Sequence, residues 1–264
     1  MPLSDNPVLF EIADGIARIT LNRPEAGNAI DLPMARALVQ ASIRCQTDRT
    51  IRCVVLTGAG RLFCAGGDVG LFESAGEGID ALLSELAGTL HMAVARFARM
   101  DKPLLTLVNG PAAGAGLSLA IAGDVVLCGR SAHFTAAYGA IGLTPDGGMS
   151  WLLPRLTGLR KAQEIILTNR RIKPDEAEAI GLVTRTVDDE ALTGEGDKVA
   201  AQLANAAVGA IGAARGLLRQ SFETAFEAQL EREAEAIARA GATAECREGL
   251  AAYFGKRPAD FRGK

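Results

Sequence analysis

Two glycine-rich loops are the first places in this chain where chemistry could sit. Leu62-Phe63-Cys64-Ala65-Gly66-Gly67-Asp68 follows an apolar run that begins at Ile51, and Asn109-Gly110-Pro111-Ala112-Ala113-Gly114-Ala115-Gly116 follows one that begins at Leu104. Small residues let a ligand touch the backbone, and the start of a helix offers unpaired N–H groups that favour negative charge. One such donor from each loop would make an oxyanion hole. Taken singly, each loop also reads as a plain turn.

Other chemistries find no support. No P-loop, no dinucleotide fingerprint after a strand and no paired-histidine zinc motif is present. Gly116-Leu117-Ser118-Leu119-Ala120 lacks the final glycine of a nucleophile elbow, so Ser118 reads as a small residue in a packed helix. Two histidines and five cysteines without a CxxC pair supply no metal set and no disulfide framework, which points to a reducing, cytoplasmic compartment. A net charge of −3 argues against nucleic acid.

The elements that must carry the loops follow from pattern. Asp14-Gly15 marks a hairpin between strands at 8–11 and 16–21. Asp31 can cap a helix that runs to about Cys45, with Pro33 tolerated in its first turn. Strands are expected over 51–57, 103–108, 124–128 and 182–187. Helices are expected over 79–99, 147–156, 159–168 and 174–179, a Gly/Ala-rich turn and short helix over 110–121, and helix almost throughout 188–253. Alternation followed by helices indicates an α/β core with a helical C-terminal region. Residues 103–123 are uncharged and long enough to span a bilayer, but Asn109-Gly110-Pro111 breaks them into strand, turn and helix, so no membrane contact is expected. The first ten residues lack a basic segment before an apolar run, so no signal peptide is expected.

Together the loops resemble the enoyl-CoA hydratase/isomerase (crotonase) superfamily. The likeness begins at Leu21-Asn22-Arg23-Pro24-Glu25-Ala26-Gly27-Asn28-Ala29 and runs through both loops. It continues in Ile141-Gly142-Leu143-Thr144-Pro145-Asp146-Gly147-Gly148, in 177–183, and in Phe254-Gly255-Lys256-Arg257-Pro258. The resemblance implies a crotonase-like spiral of ββα units over 1–187 and a helical trimerisation region over 188–264. It also implies a homotrimer or dimer of trimers acting on an acyl-CoA thioester, with coenzyme A arriving on the substrate and no separate cofactor or metal. The oxyanion donors would be the N–H groups of Gly67 and Ala115. The Ala65-Gly66 backbone would meet the adenine, and Arg23, Ala26, Asp68 and Val69 would lie along the CoA site. Lys256, near Phe254, would reach CoA phosphates in a neighbouring subunit.

Hydratases of this kind carry two glutamates where this chain has Ser118 and Tyr138. Hydration needs one group to deprotonate water and another to protonate carbon, so the resemblance does not carry the ordinary hydratase acid–base pair. Asp146 is the remaining carboxylate. It resembles the acidic residue of phenylacetate-type isomerases, which suffices alone for a 1,3-proton shift. It would equally serve as N-cap of the helix at Gly147. In the similar 4-chlorobenzoyl-CoA dehalogenases an aspartate here is the nucleophile, with a histidine base where His91 falls and a tryptophan where Tyr138 stands. His91, with Ala87, Gly88, Val94 and Ala95 at helical spacing, also reads as a packed or rim histidine. Isomerase chemistry leads; aryl-CoA dehalogenation or thioester hydrolysis, hydration, and a non-catalytic CoA-binding oligomer are the alternatives.

Overall fold

The computed structural model describes residues 6–263; the first five residues of the segment read for a leader lie outside them. β1 (Val8–Ala13) and β2 (Ile16–Leu21) form the expected hairpin. Asp14 and Gly15 both take positive φ, which a two-residue turn matched to strand twist requires. α1 (Leu32–Thr47) follows, its first turn capped by the Asp31 carboxylate accepting from Met34 N at 2.8 Å. The chain returns as β3 (Cys53–Gly58), then forms α2 (Val69–Ala75), α3 (Ile79–Arg99) and β4 (Leu104–Val108). Next come the two-residue β5 (Ala112–Ala113), α4 (Ala115–Ile121), β6 (Val125–Gly129) and the two-residue β7 (Phe134–Thr135). α5 (Met149–Thr157), α6 (Leu159–Thr168), α7 (Pro174–Ala179) and β8 (Arg185–Val187) complete the core. α8 (Leu192–Asn205), α9 (Val208–Gln220), α10 (Phe226–Gly241) and α11 (Ala244–Phe254) follow.

The main sheet runs β1-β2-β3-β4-β6-β8, antiparallel at the hairpin and parallel thereafter. Parallel strands need covering on both faces, and this sheet has that. One face packs Leu56, Leu104 and Val126 with α1 and α3; the other packs Val55, Leu105 and Leu127 under Leu192, Ala200 and Ala204 of α8. Beside the sheet runs a second, minimal ladder. Cys64 bridges Ala112, β5 pairs with β7, and Phe134 bridges Ile172. Each turn of chain thus supplies a long strand and then a short bridge, and the spiral stacks these turns. Among the described residues no helix is long and apolar enough to cross a membrane.

Three local expectations change. α2 occupies a stretch whose Gly70, Gly76 and Gly78 hide any helical period, and it forms because Asp68 caps it through Leu71 N at 3.3 Å. α5 starts at Met149 rather than Gly147, because Gly147 and Gly148 both take positive φ, outside helical space. The strand expected over 182–187 shortens to its last three residues.

Candidate active site

The minimal ladder brings the two glycine-rich loops side by side. Ala113 N donates to Cys64 O at 3.0 Å, and Phe63 N donates to Pro111 O at 3.1 Å. Fully buried Asn28 holds the first loop, its Nδ2 donating to the carbonyls of Ala59, Leu62 and Phe63 at 2.9, 2.8 and 3.1 Å. Asn109 ties the loops again, accepting from Gly58 N at 3.1 Å and donating to Gly60 O at 2.9 Å. Gly116 permits the approach, since a Cβ there would collide with the backbone carbonyl of Cys64.

Ile30 N donates to Gly66 O at 2.7 Å and Asp68 N donates to Ile30 O at 3.1 Å, so the bridge takes the Gly66 carbonyl and the Asp68 N–H and leaves the Gly67 N–H unused. Ala115 is the first residue of α4, where an N–H has no acceptor within the helix. Among the described residues neither N–H donates to a protein partner. Both residues line a cavity of about 400 Å³, with Tyr138 and Asp146 in its wall.

Asp146 is anchored from several sides. Tyr138 Oη donates to its Oδ1 at 2.6 Å, and Ser118 Oγ donates to its backbone carbonyl at 2.9 Å. Ser118 Oγ and Tyr138 Oη are themselves 3.3 Å apart. Burial pushes the Tyr138 phenol well above its usual range, and the neighbouring Asp146 carboxylate pushes it further, so the phenol stays a proton donor. The N-cap role expected of Asp146 is not adopted. Its side chain faces Tyr138, and Gly148 precedes the first helical residue. His91 reaches in from α3: its Nε2 accepts from Gly147 N at 3.0 Å and lies 3.9 Å from Asp146 Oδ2. The imidazole is 49% exposed and the carboxylate 28%, so this pair sits at the rim of the cavity.

Comparison with known proteins fits this geometry. The enoyl-CoA hydratase/isomerase family model matches residues 11–264. The chain belongs to the enoyl-CoA hydratase/isomerase family. It is 36% identical to a 1,2-epoxyphenylacetyl-CoA isomerase of Escherichia coli, covering 97% of this chain and 98% of that one. It is 32% identical to a 4-chlorobenzoyl coenzyme A dehalogenase of an Arthrobacter species, covering 99% and 92%. A crystal structure of an enoyl-CoA hydratase from a Polaromonas species superposes with a TM-score of 0.92 at 30% identity, covering 97% and 99%.

Within this family member the other candidates divide. Ala65, Gly66 and Val69 line the cavity. Asp68 and Arg23 build the frame beneath it. The Arg23 guanidinium pairs with Asp31 at 3.0 Å and Asp68 at 3.2 Å and donates to Ala29 O at 2.7 Å. Ala26 ends a single 3-10 turn and is absent from the lining. Phe254 and Lys256, at the end of α11, also lie off the cavity wall in a single chain, with Phe254 exposed. Phe72, Leu83, Leu86, Ala87, Leu90 and Leu143 form the apolar wall. The sequence motifs name Leu143 and the helical spacing around His91 names Ala87, but neither assigns a role in lining the site, and the other four are not named. Four of them, 83, 86, 87 and 90, carry the spacing of one helical face, and that period was available in the sequence.

Proposed function

We propose that the protein binds an enoyl-CoA thioester and moves its double bond between C3 and C2. Asp146 takes a proton from C2 of a 3-enoyl thioester, and the electron pair left behind spreads onto the thioester oxygen on one side and through the alkene to C4 on the other. The N–H groups of Gly67 and Ala115 stabilise that oxyanion in a site partly closed to water. The protonated Asp146 then returns the proton to C4, giving the 2-enoyl thioester. Electrons and atoms balance without a redox group, so coenzyme A is needed only as part of the substrate. The observation that carries this reading is a single carboxylate sharing one cavity with two unpaired N–H donors, and the resemblance adds that Ser118 and Tyr138 stand where a hydratase needs acid and base. The test is incubation with 3-hexenoyl-CoA followed by chromatography and mass spectrometry. A product of unchanged mass that co-elutes with 2-hexenoyl-CoA is expected; a product heavier by one water would assign hydration instead.

The 3.9 Å approach of His91 to Asp146 supports a second reading. Asp146 would attack a halide-bearing ring carbon and expel the halide to leave an aryl ester, or attack the thioester carbonyl and expel the CoA thiolate to leave a mixed anhydride, and His91 would activate the water that cleaves either intermediate. Turnover in oxygen-18 water would then label Asp146. Exposed Leu218, Phe222, Phe226, Ile237, Tyr253 and Phe254 on the C-terminal helices support an assembly, and a trimer or dimer of trimers is the arrangement we propose.

A further inference from the structure

We infer that the cavity selects an uncharged hydrocarbon acyl group and rejects acyl groups that end in a carboxylate, an inference that rests on the acyl-CoA reading above. α3 turns Leu83, Leu86, Ala87 and Leu90 toward the cavity, and Phe72 of α2 and Leu143 complete the wall. Asp146 is the one charged residue among the described residues of the lining. The nearby groups that could answer a negative charge are engaged: His91 Nε2 accepts from Gly147 N, and Arg23 pairs with Asp31 and Asp68. A carboxylate carried inside would lose its water and meet the like charge of Asp146 without a cation to offset either loss. A methyl-ended chain gains about fourfold in affinity for each methylene it buries. The mouth agrees with the wall, since Val69 and Ile141 border the cavity with 53% and 51% of their surface exposed. An apolar ligand would cover them.

The discriminating ligands are hexanoyl-CoA and adipoyl-CoA, which share six acyl carbons, lack the double bond and differ in the terminal carboxylate. Calorimetric titration of the full-length protein should show hexanoyl-CoA binding at least about tenfold more tightly. Ala87→Arg places a cation on the half-buried α3 face and should shrink or invert that ratio. Leu83→Lys, one turn earlier, serves the same purpose if the first variant does not fold. Equal or tighter binding of adipoyl-CoA by the unaltered protein overturns the inference, as does a ratio indifferent to the introduced cation. Selective binding without turnover of 3-hexenoyl-CoA keeps the selectivity and removes the isomerase reading. Failure of both ligands to bind removes both.

Discussion

The Tyr138 phenol donates to the Asp146 carboxylate across 2.6 Å, and it does so from a buried position. The donor fixes Oδ1 and leaves Oδ2 for substrate. Tyr138 therefore acts through Asp146, as a positioning residue in the proposed proton shift. We expect Tyr138→Phe to lower kcat by about tenfold, the worth of one hydrogen bond to a charged group, while KM changes little. Steady-state rates on 3-hexenoyl-CoA check this. A change confined to KM would assign Tyr138 to packing alone.

The same burial has a consequence for alkaline stability. Desolvation pushes the Cys45, Cys53 and Cys64 thiols up to about 12, and it raises Tyr138 as well. In the unfolded chain thiols ionise near 8.5 and phenols near 10, as model peptides do. Above about pH 8.5 the native state thus holds more protons than the unfolded state, and stability falls as pH rises toward about 12. Urea midpoints should drop between pH 8 and pH 10, and Cys64→Ala should flatten that slope. An unchanged slope in the variant would show that the Cys64 thiol does not contribute to it.

Gly67 carries a steric demand distinct from its N–H. A Cβ there would stand 2.5 Å from Cζ of Phe72, so the ring would have to move. We expect Gly67→Ala to cost about 10²-fold in kcat, the scale of a displaced oxyanion donor. Phe72→Leu in the same chain should recover part of that loss by giving the new methyl room. No recovery would mean that the methyl obstructs substrate rather than shifting the loop.

Much of the frame was legible because it is local. The Asp14-Gly15 turn, the Asp31 cap and the apolar runs of β3 and β4 each announce themselves within a few residues. That Gly67 and Ala115 share one cavity wall was legible only through resemblance, since nothing local says that Cys64 bridges Ala112, 48 positions away. The pairing of Arg23 with Asp68 is equally non-local, so a cation that suggests a ligand also holds a loop. Asp146 shows the remaining limit. An aspartate before a helix looks like a cap, and only the positive φ of both Gly147 and Gly148 delays the helix and frees the carboxylate for Tyr138.

His91 and Asp146 separate the two chemistries. In the proton shift Asp146 touches the reacting carbons, whereas His91 anchors Gly147 N through Nε2. Water can replace that acceptor at a half-exposed rim. Asp146→Asn should therefore cost about 10²–10⁴-fold in kcat, the usual worth of a general base, and His91→Ala only a few-fold. In the covalent route the imidazole must activate water, and its loss would arrest the aryl ester or acyl anhydride on Asp146. There His91→Ala should be nearly as damaging as Asp146→Asn, and intact-protein mass spectrometry should detect the trapped acyl or aryl adduct. Because Ser118 and Met149 hold the Asp146 carbonyl rather than its carboxylate, neither substitution should unfold the loop. Matched thermal melts would establish that the rate difference belongs to chemistry.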